Sequence, residues 1–143
     1  MKPIDFPTTQ DRLAAGDRAG EALINGRPVR VEWTSRAEAA LRARTQPLII
    51  ELELYFSCLV KKFVHVRENA DGHALAWVDP RLALYFRPVT STTCTPQTAE
   101  RRGRQPEVEI DTRATRRIAP KRVRLDFRGD GWHGSYSLHS SPT

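Results

Sequence analysis

Ten basic residues crowd between Arg101 and Arg128: Arg101, Arg102, Arg104, Arg113, Arg116, Arg117, Lys121, Arg122, Arg124 and Arg128. Only four acids share that window (Glu107, Glu109, Asp111 and Asp126), so its surplus equals the net charge of the whole chain, +6. Clustered guanidiniums grip phosphates and carboxylates through charge and paired hydrogen bonds. Arg122 and Arg124 alternate with Val123 and Leu125, which puts both on one sheet face. Arg116-Arg117 and the Arg101-Arg102-Gly103-Arg104 run would extend that face from a loop. All the basic residues up to Arg124 are candidate anion-binding groups, for nucleic acid or for an acidic protein surface. The plainer alternative is that arginine is simply the preferred solubilising cation, since it outnumbers lysine throughout the chain. No nucleic-acid recognition motif accompanies the charge.

A second set is acidic. Glu51 and Glu53 share a strand face with Tyr55, while Tyr85 and Arg87 share a face of a later strand. If the two faces coincide, they form a Glu/Tyr/Arg surface able to bind a small molecule or move a proton. The ordinary role of such a face is the solvated side of a half-buried antiparallel sheet.

Thiols and imidazoles form the third set. Cys58, His65, Cys94 and His133 carry ligand atoms, but there is no Cys-x-x-Cys and no finger-like spacing, so neither a metal nor another cofactor is expected. Cys58 falls on the face of Leu54 and Phe56 and reads as a buried thiol. Cys94, in a polar stretch, is the better candidate for a reactive one. His73 and His139 have no evident partner. Asp126 stands opposite His133 if the last turn centres on Gly129-Asp130; the neighbouring register puts Arg128 there instead.

The elements that must position these groups are mostly strands. Residues 1–8 read as a loose arm carrying Pro3 and Pro7. Leu13, Ala14, Ala15, Ala19 and Ala22 suggest a weak helix, opposed by Gly16 and Gly20. Asn25-Gly26 predicts a tight hairpin, with Val29, Val31 and Trp33 alternating beyond it. Ser35 and Glu38 have capping-box spacing and open a helix over 35–44. Ile50, Leu52, Leu54 and Phe56 alternate with polar positions, as do Val64 and Val66, then Leu82, Leu84 and Phe86. Together they predict a long bent hairpin over 48–87, turning at Asp71-Gly72. Residues 88–120 read as a long, polar, basic loop with a short strand at 107–111. A hairpin follows, with Val123, Leu125 and Phe127 on the same face as Trp132, Tyr136 and Leu138. Gly134 is expected to lie beneath one of these aromatics.

These patterns predict a single α+β domain over 1–143. It is mainly an antiparallel sheet of about five or six strands, or a partly open barrel, with one or two short helices. No apolar run is long enough to span a bilayer, and two cysteines make no disulfide framework, so a cytoplasmic protein with no membrane partner is expected. The leading functional expectation is a non-enzymatic module that engages an anionic partner through residues 101–128. The alternative is a small enzyme or small-molecule binder using the Glu51/Glu53/Tyr55/Tyr85/Arg87 face.

Overall fold

A computed structural model describes residues 15–56, 59–91, 107–129 and 131–139. The expected N-terminal arm, the first part of the expected helix, Cys58, Cys94, Arg101, Arg102 and Arg104 lie outside the described residues. The chain begins with a hairpin of β1 (Arg18–Ile24) and β2 (Arg27–Trp33). Asn25 (φ 53°) and Gly26 (φ 76°) sit in the left-handed region, as a two-residue turn matched to strand twist requires. β1 replaces the helix suggested by Ala19 and Ala22. Its residues alternate, Ala22 and Ile24 inward and Leu23 outward, and pairing with β2 overrides a weak helical spacing that two glycines already oppose.

Helix α1 spans Ser35–Arg42, slightly shorter than expected. Its cap is Thr34 rather than Ser35: the Thr34 hydroxyl accepts a hydrogen bond from the Ala37 amide at 3.1 Å. Glu38 therefore makes no capping box. It turns inward, and Trp33 Nε1, Arg42 Nε and Arg81 Nη1 all donate to its carboxylate at 2.9–3.0 Å. Arg81, the largest influence, overcomes the cost of burial and holds the Glu38 carboxyl down at about 2.

Then follow β3 (Leu48–Phe56), β4 (Val60–Arg67), β5 (Ala76–Asp79), β6 (Leu82–Ser91), β7 (Glu107–Glu109), α2 (Arg113–Arg116), β8 (Pro120–Arg128) and β9 (Gly131–Leu138). Among the described residues nine strands form two sheets, where about five or six in one were expected. The order is β1-β2-β8-β9 in the first sheet and β4-β3-β6-β5 in the second, with β7 paired to β6. The expected bent hairpin is two hairpins. β3 and β4 pair antiparallel, β5 and β6 pair antiparallel, and β6 lies parallel to β3. β2 and β8 are also parallel, so each sheet has a parallel pair at its centre. Parts of residues 88–120 are regular: β6 continues to Ser91, and β7, α2 and the start of β8 follow from Glu107.

The sheets face each other across an apolar core. Val29, Val31, Val123 and Leu125 of the first sheet meet Ile50, Leu52, Leu82 and Leu84 of the second, with Leu41 of α1 plugging one end. The Tyr136 hydroxyl crosses the core and donates to the Glu53 carbonyl. At both side seams a glycine lets the sheets approach. A Cβ on Gly20 of β1 would come within 2.6 Å of Val78 Cγ1 on β5. One on Gly134 of β9 would come within 2.8 Å of Val64 Cγ1 on β4 and 3.0 Å of Leu125 Cδ2. Gly134 is thus covered by aliphatic side chains, not by an aromatic. The described strands approach at these seams without closing into a barrel.

Gly20→Ala and Gly134→Ala should each destabilise the protein by about 1–3 kcal/mol, because a methyl group forces the seam apart. The two seams share no residue, so the double variant should lose the sum to within about 0.5 kcal/mol in denaturant unfolding.

Candidate functional site

β3 is the only described strand with both faces buried over nearly its whole length. Its inward residues are Ile50, Leu52 and Leu54; its outward ones include Glu51, Glu53 and Tyr55, and β6 brings Tyr85 and Arg87 opposite Glu51 and Glu53. The two polar faces coincide as the sequence suggested, but they are not a solvated surface. Glu51 is 3% exposed, Glu53 1% and Tyr85 3%. Buried charge is tolerated only when paired and hydrogen-bonded, so each carboxylate has recruited partners.

Arg67, at the end of β4, donates to Glu51 from Nε at 2.9 Å and from Nη2 at 3.3 Å. The Tyr85 hydroxyl donates to the same carboxylate at 2.7 Å, and Arg87 Nη1 stands 3.8 Å away. Burial pushes Glu51 toward protonation, but the bonds from Arg67 and Tyr85 outweigh it and hold the carboxyl below its ordinary value. Burial, reinforced by Glu51, pushes the Tyr85 phenol up to about 12. Glu51 is therefore a carboxylate and Tyr85 a neutral donor at neutral pH. Glu53 bonds His65 Nε2 at 2.7 Å.

Above this layer the β4–β5 connection folds back at Asp71 (φ 50°) and Gly72 (φ 84°) and lays His73 flat on Tyr85, with ring centroids 4.3 Å apart and planes 9° from parallel. His73 Nε2 is 2.6 Å from Glu109 Oε1, and Nδ1 is 2.8 Å from the Ala70 carbonyl. Burial opposes charge on this imidazole, but the bonds to Glu109 and Ala70 prevail and its pKa is raised. Glu51, Tyr85, Arg67 and Arg87 floor a cleft of about 470 Å³, and Glu68, Asn69, Asp71 and His73 of the connection wall it. That volume is in the range of small-molecule sites.

Arg67, His73 and Glu109 carry no signal in the sequence. Arg67 is placed by the β3–β4 register, and β7 brings Glu109 to a histidine that has no neighbour along the chain. His139 likewise finds the Pro28 carbonyl, 3.1 Å from Nε2. Glu51, Glu53 and His65 offer ligand atoms within 4.8 Å of one another. A cation taking both carboxylates would have to displace Arg67 from Glu51 and His65 from Glu53.

The anion-binding candidates divide differently. Arg122 and Arg124 do share one outer face, where β2 adds Arg30, and all three surround Glu32: the Nε atoms of Arg30, Arg122 and Arg124 lie 2.6, 3.7 and 3.6 Å from its carboxylate oxygens. Arg116 pairs with Asp111 at 2.9 Å. Arg113, Arg117 and Lys121 are exposed. Asp126 does stand opposite His133, and Arg128 opposite Gly131, but the Asp126 carboxylate serves Thr34, Arg36 and Arg128. Among the described residues no helix is long and apolar enough to cross a membrane. Comparisons with protein families, with curated proteins and with solved structures find no match to this chain.

Because the folded pKa of His73 lies above its ordinary 6.5, its stabilising contribution is complete below pH 6.5 and is lost as pH rises through the folded value. In an NMR titration the His73 ring should therefore titrate above 6.5, and Glu109→Gln should return it toward that value. A wild-type midpoint at or below 6.5 contradicts the assignment.

Proposed function

We propose that the protein binds a small polar zwitterion in the cleft over Glu51, without turning it over. The observation that carries this reading is the pairing of a doubly buried strand with a charged, concave outer surface. Stability alone does not call for it, since apolar residues at the Glu51 and Glu53 positions would fill a two-sided strand without the desolvation cost. The lining sets cations against acids. Arg67 spends Nε and Nη2 on Glu51, and a guanidinium has five donors, so donors remain beside Arg87 for a ligand carboxylate. Glu68 and Asp71, exposed on the β4–β5 connection, suit an ammonium at the ligand's other end. Glu51 and Tyr85 are held in the states that neither take nor give a proton near neutrality, which favours recognition over acid–base catalysis.

Thermal unfolding against a panel of amino acids, organic phosphates and simple amines tests this. At a hundred times its Kd a ligand adds about 2.7 kcal/mol, enough to raise Tm by several degrees. Zwitterions should shift Tm where one-charge analogues do not, and Arg87→Gln or Asp71→Asn should remove the shift; Asn tolerates the positive φ at position 71. A panel with no active zwitterion, or one in which anions act equally well, defeats the proposal.

A second reading rests on the first sheet. Three guanidiniums surround one carboxylate there, and Glu32 is 2% exposed, with Oε1 lacking a hydrogen-bond donor among the described residues. Net positive charge remains on that face, and Arg113, Arg117 and Lys121 add exposed cations in the same part of the chain. This supports an anionic macromolecular partner, nucleic acid or an acidic protein surface. Oligonucleotide binding should weaken steeply with salt, and the log–log slope should fall by about 1 for each phosphate-contacting arginine neutralised. Binding that ignores salt, or that survives Arg30→Gln with Arg124→Gln unchanged, removes the nucleic-acid form.

A further inference from the structure

At one end of the sandwich the core opens. Phe56, the last inward residue of β3, is only partly covered where β9 finishes at Leu138 and the chain crosses through the single turn of α2, and the buried Leu54 lies at the base of the opening. The gap is a cleft of about 480 Å³, with Ile118 and Leu138 on the opposite wall and Val60, 60% exposed, at its lip. Apolar side chains left uncovered at the mouth of a core mark a place where something apolar docks. Two guanidiniums, Arg27 and Arg117, also line the cleft beside His139, and among the described residues no carboxylate does. Neither arginine makes an ion pair with a described carboxylate. Asn25 Nδ2 donates to the Ile118 carbonyl at 2.9 Å and the Ala119 carbonyl accepts from the His139 amide at 2.9 Å, so the wall carrying Arg117 is tied to the β1–β2 turn and to the end of β9.

We propose that this end cleft binds an amphipathic anion, an alkyl carboxylate whose chain enters between the sheets while its head group meets Arg27 and Arg117. Charge complementarity selects the occupant. An uncharged chain would leave both guanidiniums unanswered, and a cationic amphiphile would be repelled. The site shares no residue with the polar cleft over Glu51, so either can fail without the other.

Calorimetric titration with octanoate, decanoate, decanol and decyltrimethylammonium, all below their micellar concentrations, decides the matter. Decanoate should bind at least about tenfold more tightly than decanol, a margin of ~1.4 kcal/mol. Each added methylene should tighten binding about three- to fourfold until the cleft is full. Arg27→Gln with Arg117→Gln should erase the preference for the carboxylate while leaving chain-length dependence intact. Ala114→Trp, on the exposed turn of α2, should block every ligand without altering the unfolding midpoint. Equal affinity for decanol and decanoate, no chain-length dependence, undiminished binding to the Trp variant, or no binding at all each overturn the proposal.

Discussion

The structure turns on the two-sided burial of β3. A central strand packed on both faces is ordinarily apolar throughout; this one fills its inner face with leucine and isoleucine and sets two carboxylates between Ile49 and Tyr55 on the other. An ionised group out of water costs several kcal/mol unless paired, so the neighbouring strands are committed to supplying partners. β4 answers with His65 and Arg67, and β6 with Tyr85 and Arg87. The register of the second sheet is thereby specified on both faces at once. A slip by one residue would put leucines outward and strand the carboxylates in the core.

The same device recurs at two further points. Glu38 is clamped by Trp33 from the first sheet, Arg42 from α1 and Arg81 from the turn before β6, so one carboxylate joins both sheets and the helix. Glu32 gathers Arg30, Arg122 and Arg124. At these three carboxylates arginine does what lysine could not. A planar guanidinium can serve a buried carboxylate with two parallel donors while its apolar stem covers the group, which a point-charge ammonium cannot. Part of the positive charge that looks in sequence like a polyanion surface is therefore spent inside the fold, over buried acids.

What was legible in the sequence was local. Alternation placed Leu52, Leu84 and Val123 inward and Glu51, Tyr85 and Arg122 outward, and Asn25-Gly26 marked its turn. Each of these depends on residues a few positions apart. The β2–β8 and β3–β6 pairings were not legible, because a parallel pair has no connecting turn to announce it. That is why Arg30 was not associated with Arg122 and Arg124; the strand count came out low because the spacing of Ala19 and Ala22 hid β1 and because each arm of the expected bent hairpin is two strands. His73 was missed for a similar reason. Its stacking partner is on β6 and its carboxylate on β7, and nothing in the spacing between residues 73, 85 and 109 encodes their meeting. The capping box failed more subtly: Thr34 outcompeted Ser35 because its hydroxyl also donates to Asp126 of β8, a contact visible only in three dimensions.

The parallel junctions also govern how the molecule comes into being. β2 waits for β8 and β3 waits for β6, so the centre of each sheet is closed by chain that arrives later. Loop closure must be met before these pairings return any energy, which places the fold among slow, high-contact-order topologies. During synthesis β1 and β2 emerge as a lone hairpin with Val29 and Val31 facing no partner sheet, a form marginal in water and open to edge pairing. Nascent chains are then exposed to misassociation until the last quarter of the sequence is made, and the C-terminal hairpin acts as the late strand pair that completes the first sheet.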